Sequence, residues 1–490
     1  MAFFDREVEF EAVVDALRSD RAELVIVYGR RGVGKSELLV RAMEGREGLY
    51  YQATDEVMAQ QLADIAVEVR RAASGRAIVG QFDSIGAFFV ALTDLARAAP
   101  DKPFAAVIDE FPYLAEAERG VETALQRWWD RDHASTPNLK VFLAGSHVSW
   151  MREHTLSEHG PIQNRRTKQL EILPLDYRNT ALFYPPLPVE DKVRAYAIWG
   201  GLPGYLREID PRLGLWANVA RTILRPDARL SVEPDWLRFT DLRADRLYTS
   251  LVRAIATGAH TPGDIARAVG RHSAADVIPH LNRLIETGMV ERTAALATRN
   301  SGRPPARYDV ADTFLAFWYR FVDPRRGVIR RARSLEVAER IASEIALEID
   351  EYIGRYVFEG ICREWVWGAA ARGELPAGLK VSDIGAWWGG RNGTQDELDV
   401  VALLPSREGV LYGECKWSAA PMDMRDLGGL RAAIDAARGA VTPIDRPWRA
   451  LFSRSGFHPD VQAEAAITEN RIILVGLDRL YGGLDSFNAG

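Results

Sequence analysis

Cysteine is nearly absent from this sequence: Cys362 and Cys415 are the only two among 490 residues. Two cysteines give neither a disulfide framework nor the paired spacing of a structural zinc site, so the fold must rest on buried apolar surface. No sign of charge dominates either. Lysine and arginine number 62 against 68 aspartates and glutamates, a net charge of −6. No global field therefore draws the chain to nucleic acid, and any such contact has to be local. Apolar runs are short, none approaching the ~20 residues that cross a bilayer. The opening MAFFDREVEFEAV has neither the basic nor the apolar region of a signal peptide. The expectation is a cytoplasmic protein with no membrane contact. What remains is an ordinary globular balance, 47% hydrophobic and 27% charged, on a chain long enough for about three domains.

Short apolar runs alternate with helical periodicity up to residue 175: ELVIVYG, LYYQAT, FAAVIDE, KVFLAGS and QLEILPL. That alternation predicts βαβ units on a parallel sheet. Residues 176–242 turn helical. Residues 243–310 read as helix, turn, helix, turn, longer helix and strand, with AALATRNSGRPPARY as a loop or β-wing. Helical periodicity continues to about residue 371. Alternation then returns with ELDVVALL, VLYGECKW, the helix MRDLGGLRAAIDAARG, RALFSRS, the helix PDVQAEAAI and RIILVGL.

Between the first run and its helix stands Gly29-Arg30-Arg31-Gly32-Val33-Gly34-Lys35-Ser36, which fits G-x-x-x-x-G-K-[ST]. The glycines let backbone N–H groups approach phosphates and the helix N-terminus adds partial positive charge. Lys35 reaches the β- and γ-phosphates of ATP, and Ser36 ligates Mg2+. FAAVIDE delivers Asp109 and Glu110 from a strand end, as a Walker B element does: Asp109 to hold Mg2+ through water, Glu110 to polarise the attacking water. KVFLAGS ends at Ser146, placed to sense a γ-phosphate. Arg165 and Arg166, before the last run, either meet a γ-phosphate, in cis or across a subunit interface, or are solvated loop charges. WGGLPGYL (199–206) is either a lid kink touching the nucleotide or a plain turn.

Phe4, Arg6 and Glu7, then GRRGVGKS, VIDEFPYL, LQRWWD, LAGS, RRT and GGLP, together resemble the archaeal-type P-loop ATPases of the STAND group within the AAA+-like class. The likeness covers roughly residues 1–240. It implies a sheet with a strand inserted between the two Walker strands and Glu-assisted (ASCE) hydrolysis. It further implies nucleotide contacts from Pro203 and Gly201 in the lid motif, and adds support to the arginine pair.

Residues 246–293 carry winged-helix patterning. Ile265, Ala268 and Val269 form one face, Leu281, Leu284 and Ile285 pack the third helix, and Gly288 ends it. Pro279 makes that helix kink or start late. The exposed positions offer only Arg271, His272, His280, Asn282 and Arg283, so DNA binding through the third helix and a rigid spacer or docking module both stand. ARYDVADTFLAFWYRFVDP (306–324) resembles the opening of a C-terminal domain of unknown function attached to many archaeal-type ATPases. RRGVIRRAR, with five arginines in nine residues, either tracks a phosphate backbone or is a solvated face.

ELDVVALLPSREGVLYGECKWS (397–418) reads as an antiparallel hairpin. With Leu404 paired to Gly409, Asp399 lies opposite Glu414, and Lys416 shares their face. Two carboxylates and an ammonium at one end suit binding one or two Mg2+ ions, activating water and stabilising a pentavalent phosphate. Asp396 and Glu397 are further candidate ligands. This is the PD-(D/E)xK nuclease signature, and the resemblance adds Glu359, on the preceding helix, as a metal ligand. The other reading is a nuclease-like scaffold whose charges only brace the sheet.

The expected architecture is α/β multidomain: a P-loop ATPase core (1–175), a helical lid (176–242), a winged helix (243–310), and a helical connector with a restriction-endonuclease-like domain (311–490). The expected activity is ATP hydrolysis controlling a metal-dependent nuclease on DNA or RNA, with a homo-oligomer possible. The alternative is a nucleotide-switched DNA-binding or scaffolding protein whose nuclease-like domain is inert.

Overall fold

ELVIVY, FAAVID and LKVFLAG are buried along their whole length, as strands covered by helices on both faces must be. They form the centre of the first sheet in a computed structural model that describes residues 6–73, 81–157, 160–234, 246–296, 305–331, 334–389, 396–438 and 440–482. Phe4, the 242/243 boundary, most of the Arg/Gly/Pro-rich stretch (297–304) and the end of RRGVIRRAR lie outside these residues.

Two compact units result, each described by itself. The first comprises Met1–Leu175 with Leu202–Gly204 and Glu286–Gly288. Its strands are β1 (Glu23–Tyr28), β2 (Gly48–Gln52), β3 (Phe104–Asp109), β4 (Leu139–Gly145) and β5 (Lys168–Glu171). All pair in parallel, in the order β2-β3-β4-β1-β5. β4 thus separates the strand before the glycine loop from the strand bearing Asp109, as the resemblance implies. Helices Met58–Ala73, Ile85–Arg97 and Val121–Asp132 bury Ile65, Phe88, Phe89, Leu92 and Leu125 against Leu24, Ile26, Ile108 and Leu143 of the strands. Ser84 starts the second of these helices by accepting the Ala87 N–H.

The second unit holds the rest. It includes β6 (Val290–Ala294) and β7 (Ala306–Val310), an antiparallel pair with Val290 facing Val310. These follow helices Arg246–Ala256, Pro262–Ala268 and Ile278–Glu286. Pro279 falls on the second residue of the last helix, where a missing N–H costs nothing. Beyond the long helices Leu335–Tyr356 and Phe358–Ala371 come β8 (Asp383–Gly389), β9 (Asp396–Leu403), β10 (Gly409–Lys416), β11 (Pro443–Ser453) and β12 (Ile472–Gly476).

They make a mixed sheet in the order β12-β11-β10-β9-β8. β8, β9 and β10 are antiparallel neighbours, while β10, β11 and β12 run parallel. Helix Met424–Ala437 carries the chain from β10 to β11, burying Leu427, Leu430 and Ile434 against Leu398, Val401, Tyr412 and Leu451. Asp423 and Asp426 close a capping box at its start. Sequence reading missed β8 and most of the first half of β11. Among the described residues no helix is long and apolar enough to cross a membrane.

Candidate functional site

The glycine loop connects β1 to helix Lys35–Met43. A Cβ at Gly29 would stand 2.2 Å from the Ile172 carbonyl oxygen, and Gly34 has φ +100°, so neither position accepts a side chain without displacement. Arg6, buried, braces the loop by donating to the carbonyls of Val33 (3.3 Å) and Leu173 (2.6 Å). Lys35 is 4% exposed, and its Nζ donates to the carbonyls of Gly29 (2.8 Å) and Arg30 (3.1 Å). Burial pushes its pKa down, opposed by the charges of Glu110 and Asp109.

β3 brings the fully buried Asp109 to this loop. Its Oδ2 accepts from Ser36 Oγ (2.6 Å) and from Tyr50 Oη (2.5 Å), and its Oδ1 accepts the Glu110 N–H (2.9 Å). Glu110 has left-handed backbone, φ +52°, a strain that non-glycine residues carry mostly at functional sites. Its Oε2 accepts both the N–H (3.0 Å) and the Oγ (2.8 Å) of Ser146, at the end of β4.

Lys35, Ser36, Asp109, Glu110 and Ser146 therefore converge. Arg165 is instead bound through two nitrogens to Asp130, at 2.8 Å each. Arg166 donates to the carbonyls of Thr155 and Gln163. The lid motif meets the loop through Gly204 rather than Pro203: the Gly204 N–H donates to the Gly32 carbonyl at 3.0 Å. Tyr50 was missed, because a tyrosine alternating along a strand reads as core.

The second cluster lies on β9 and β10. Gly409 faces Leu403, not Leu404. An irregularity between Gly409 and Leu411 then resets the ladder to Leu411–Ala402, Tyr412–Val401 and Gly413–Val400. The last pair is Gly413–Val400, and Asp399 and Glu414, expected to pair, are the next residues of their strands beyond it. The ladder stops there, and the Asp399 carboxylate takes up the Cys415 N–H at 2.7 Å. Lys416 Nζ lies 2.9 Å from Glu414 Oε1. Arg363 joins Glu359 (3.3 Å) to the Asp399 carbonyl (2.7 Å).

Burial pushes Asp399 up to about 8, helped by the charges of Glu359 and Glu414 and opposed by the Cys415 N–H. Burial likewise raises Glu359. Lys416 is raised too, because Glu414 outweighs the burial that would lower it. Both cysteines are buried beside the cluster, and burial raises both thiols, which makes them inert. Glu397 is paired with Arg307 from β7 at 2.5 Å, and that guanidinium lies 4.4 Å over the Trp388 ring. A cavity of about 470 Å³ opens beside these groups, bounded by Glu359, Arg363, Arg307, Trp388 and Glu397.

Both places offer hard oxygen donors, the type Mg2+ prefers. Ser36 and Asp109 fit such an ion directly. Among the described residues no three His, Cys, Asp or Glu side chains are grouped to hold a metal. Glu359 is thus not gathered into a three-ligand set with Asp399 and Glu414. A pair of carboxylates is nonetheless enough for an ion that keeps several waters.

A phosphate loop, an Asp-Glu strand end and a central parallel sheet define a P-loop ATPase. Residues 3–209 match the model of an ATPase domain predominantly from Archaea, and residues 318–427 match one of archaeal and bacterial proteins of unknown function. The chain belongs to the family of an uncharacterized protein of Methanocaldococcus jannaschii, with 31% identity over 427 residues, 86% of this chain and 88% of the relative. Among solved structures it is similar to the Walker-type ATPase of Pyrococcus abyssi (20% identity, 65% of this chain and 96% of that one, TM-score 0.48). It is also similar to the ORC2 protein of Aeropyrum pernix in ADPNP-ADP complexes (14%, 70% and 95%, TM-score 0.42).

Proposed function

We propose that this protein hydrolyses ATP at the glycine loop and that its nucleotide state governs a metal-dependent nuclease centred on Asp399, Glu414 and Lys416. For the ATPase half, the supporting observation is the shared Asp109 oxygen, which joins Ser36 to the end of β3. On binding ATP, Lys35 exchanges the carbonyls of Gly29 and Arg30 for the β- and γ-phosphates. The loop N–H groups and the helix N-terminus cradle the same phosphates. Glu110 leaves Ser146 to polarise the attacking water, and Ser146 is freed to meet the γ-phosphate. Ser36 and Asp109 would hold Mg2+. Arg165 serves the nucleotide only if it exchanges Asp130 for a phosphate, and Arg166 only if it leaves its loop carbonyls.

For the nuclease half, the observation that carries the reading is that Asp399 and Glu414 follow the last pair of the β9–β10 ladder and the Glu414 charge acts on Asp399, with Lys416 2.9 Å from Glu414. Asp399 and Glu414 would hold Mg2+, and Lys416 would stabilise the charge building on the phosphate. The chemistry a bound ion supplies is activation of water and neutralisation of the phosphates. The three helices and the β6–β7 pair read as a winged helix that contacts nucleic acid through Ile278–Glu286, with β6–β7 as its wing.

One observation favours a second reading. Glu359, Glu397 and Glu414 already pair with cations of the chain itself, Arg363, Arg307 and Lys416. Here the cluster braces the sheet, and the protein is a nucleotide-switched binding or scaffolding protein. Incubation of the full chain with Mg2+ or Mn2+ and DNA or RNA separates the two. Cleavage that disappears in Lys416→Ala supports the nuclease, whereas intact nucleic acid under every condition supports the scaffold. ATP turnover unchanged in Lys35→Ala would overturn the ATPase site.

A further inference from the structure

Trp417 directly follows Lys416 and is fixed from several sides. Its indole N–H donates to Asp350 Oδ1 (3.1 Å) on helix Leu335–Tyr356. The Phe358 ring lies 5.2 Å from it, and the guanidinium groups of Arg454 and Arg194 lie over it at 5.1 and 6.0 Å. Both arginines converge on the same carboxylate. Arg194 reaches the two oxygens of Asp350 at 3.0 Å each, and Arg454 reaches Oδ2 at 2.7 Å. The main-chain N–H of Arg454 donates to the Lys416 carbonyl at 3.1 Å. Lys416 is therefore gripped at its own carbonyl and at the next side chain.

Arg194 belongs to helix Val189–Trp199, whose Glu190 accepts from Arg194 (3.4 Å) and Arg454 (3.1 Å) and whose Asp191 accepts from Arg194 (2.8 Å). The arginines are 15% exposed and Asp350 34%. Bidentate geometry and shared partners at that burial exceed what an isolated surface pair contributes. The helix ends at Gly200, φ +64°, where a Cβ would stand 2.7 Å from Thr313 Oγ1. Four residues along the chain, Gly204 donates to the Gly32 carbonyl of the phosphate loop.

We propose that Arg194, Asp350 and Trp417 are positioning residues for Lys416, and that helix Val189–Trp199 transmits the nucleotide state of the glycine loop to it. This rests on the nuclease reading and names its regulation. The loop carbonyl of Gly32 reports nucleotide occupancy to the Gly204 segment. The covalent chain passes the displacement to the helix, and Arg194 carries it to the carboxylate that orients Trp417. Coupling of this kind is worth about 5- to 150-fold in the response of one site to the other.

Amide hydrogen exchange on the full chain, with and without a non-hydrolysable ATP analogue, tests it without depending on cleavage. The expected result is a nucleotide-dependent change in exchange over residues 412–417 in the unmodified protein. Arg194→Ala should lose that change while ATP turnover stays within about two-fold, since the side chain is outside the nucleotide site. Trp417→Phe, which keeps a ring but drops the N–H to Asp350, should weaken it as well. An unchanged response in both variants, or none in the unmodified protein, overturns the proposal. Absence of cleavage under all conditions counts against the nuclease reading alone, and the exchange result still decides the coupling.

Discussion

Tyr50 and Asp109 share a hydrogen bond of 2.5 Å, made to the same carboxylate oxygen that Ser36 reaches at 2.6 Å. A phenol so placed orients the carboxylate, as outer partners of metal ligands do. Tyr50→Phe removes the bond and little volume. The Mg2+ concentration giving half-maximal ATP turnover is expected to rise about 10-fold, with a smaller change in the maximal rate. A metal titration of phosphate release reads both.

Glu110 is held by two donors of Ser146. Glu110→Gln should leave nucleotide binding intact and lower turnover by roughly 10²- to 10⁴-fold, the range general-base removal produces. Binding of a fluorescent ATP analogue, measured beside phosphate release, separates the two effects.

How much of these sites was legible in sequence follows from how local each one is. The glycine loop is contiguous, running from the end of β1 into the next helix, so GRRGVGKS suffices to locate it. Asp109 and Glu110 were legible as the end of an apolar strand. Tyr50 was not, since its partner lies 59 positions away and nothing in GLYYQ marks one tyrosine as polar in role. That Asp399 and Glu414 lie at one end of the β9–β10 hairpin was reachable from alternation alone. Its turn was misread by one residue because the ladder is irregular beyond Gly409, and Arg407 adopts φ +69°. β8 was overlooked because DIGAWWG has no clear period. Arg363 was invisible for another reason: its main contact is a main-chain carbonyl on a distant strand, which no side-chain pattern encodes.

The raised pKa of Asp399 gives a pH signature in the presence of a chelator. The folded protein holds this proton to about 8, against an ordinary value of 3.8. The folded form therefore binds the proton more tightly than the unfolded chain. Its contribution to stability is complete below pH ~4 and is lost as pH rises through 8. Asp399→Asn should raise the unfolding temperature of this unit at pH 8.5 by about 2–4 °C, with the gain shrinking toward pH 5. A melting series from pH 5 to 9 measures it, and a pH-independent difference would contradict the assignment.

Gly29 sits under the Ile172 carbonyl, 2.2 Å from where a Cβ would be. Gly29→Ala must push β5's continuation and the loop apart, so ATP binding should fall at least 10-fold. Stability should fall by about 1–3 kcal/mol, the usual cost of forcing a side chain onto strained backbone. Isothermal titration with ATP and chemical denaturation report the two separately.

Nucleotide occupancy at Lys35 is proposed to control chemistry at Lys416. The most direct test is the rate of Mn2+- or Mg2+-dependent nucleic-acid cleavage, with and without ATP, by the unmodified chain and by Lys35→Ala. The expected outcome is a rate that changes with ATP in the former and metal-dependent cleavage blind to ATP in the latter. Cleavage that proceeds equally with and without ATP in the unmodified chain would contradict it.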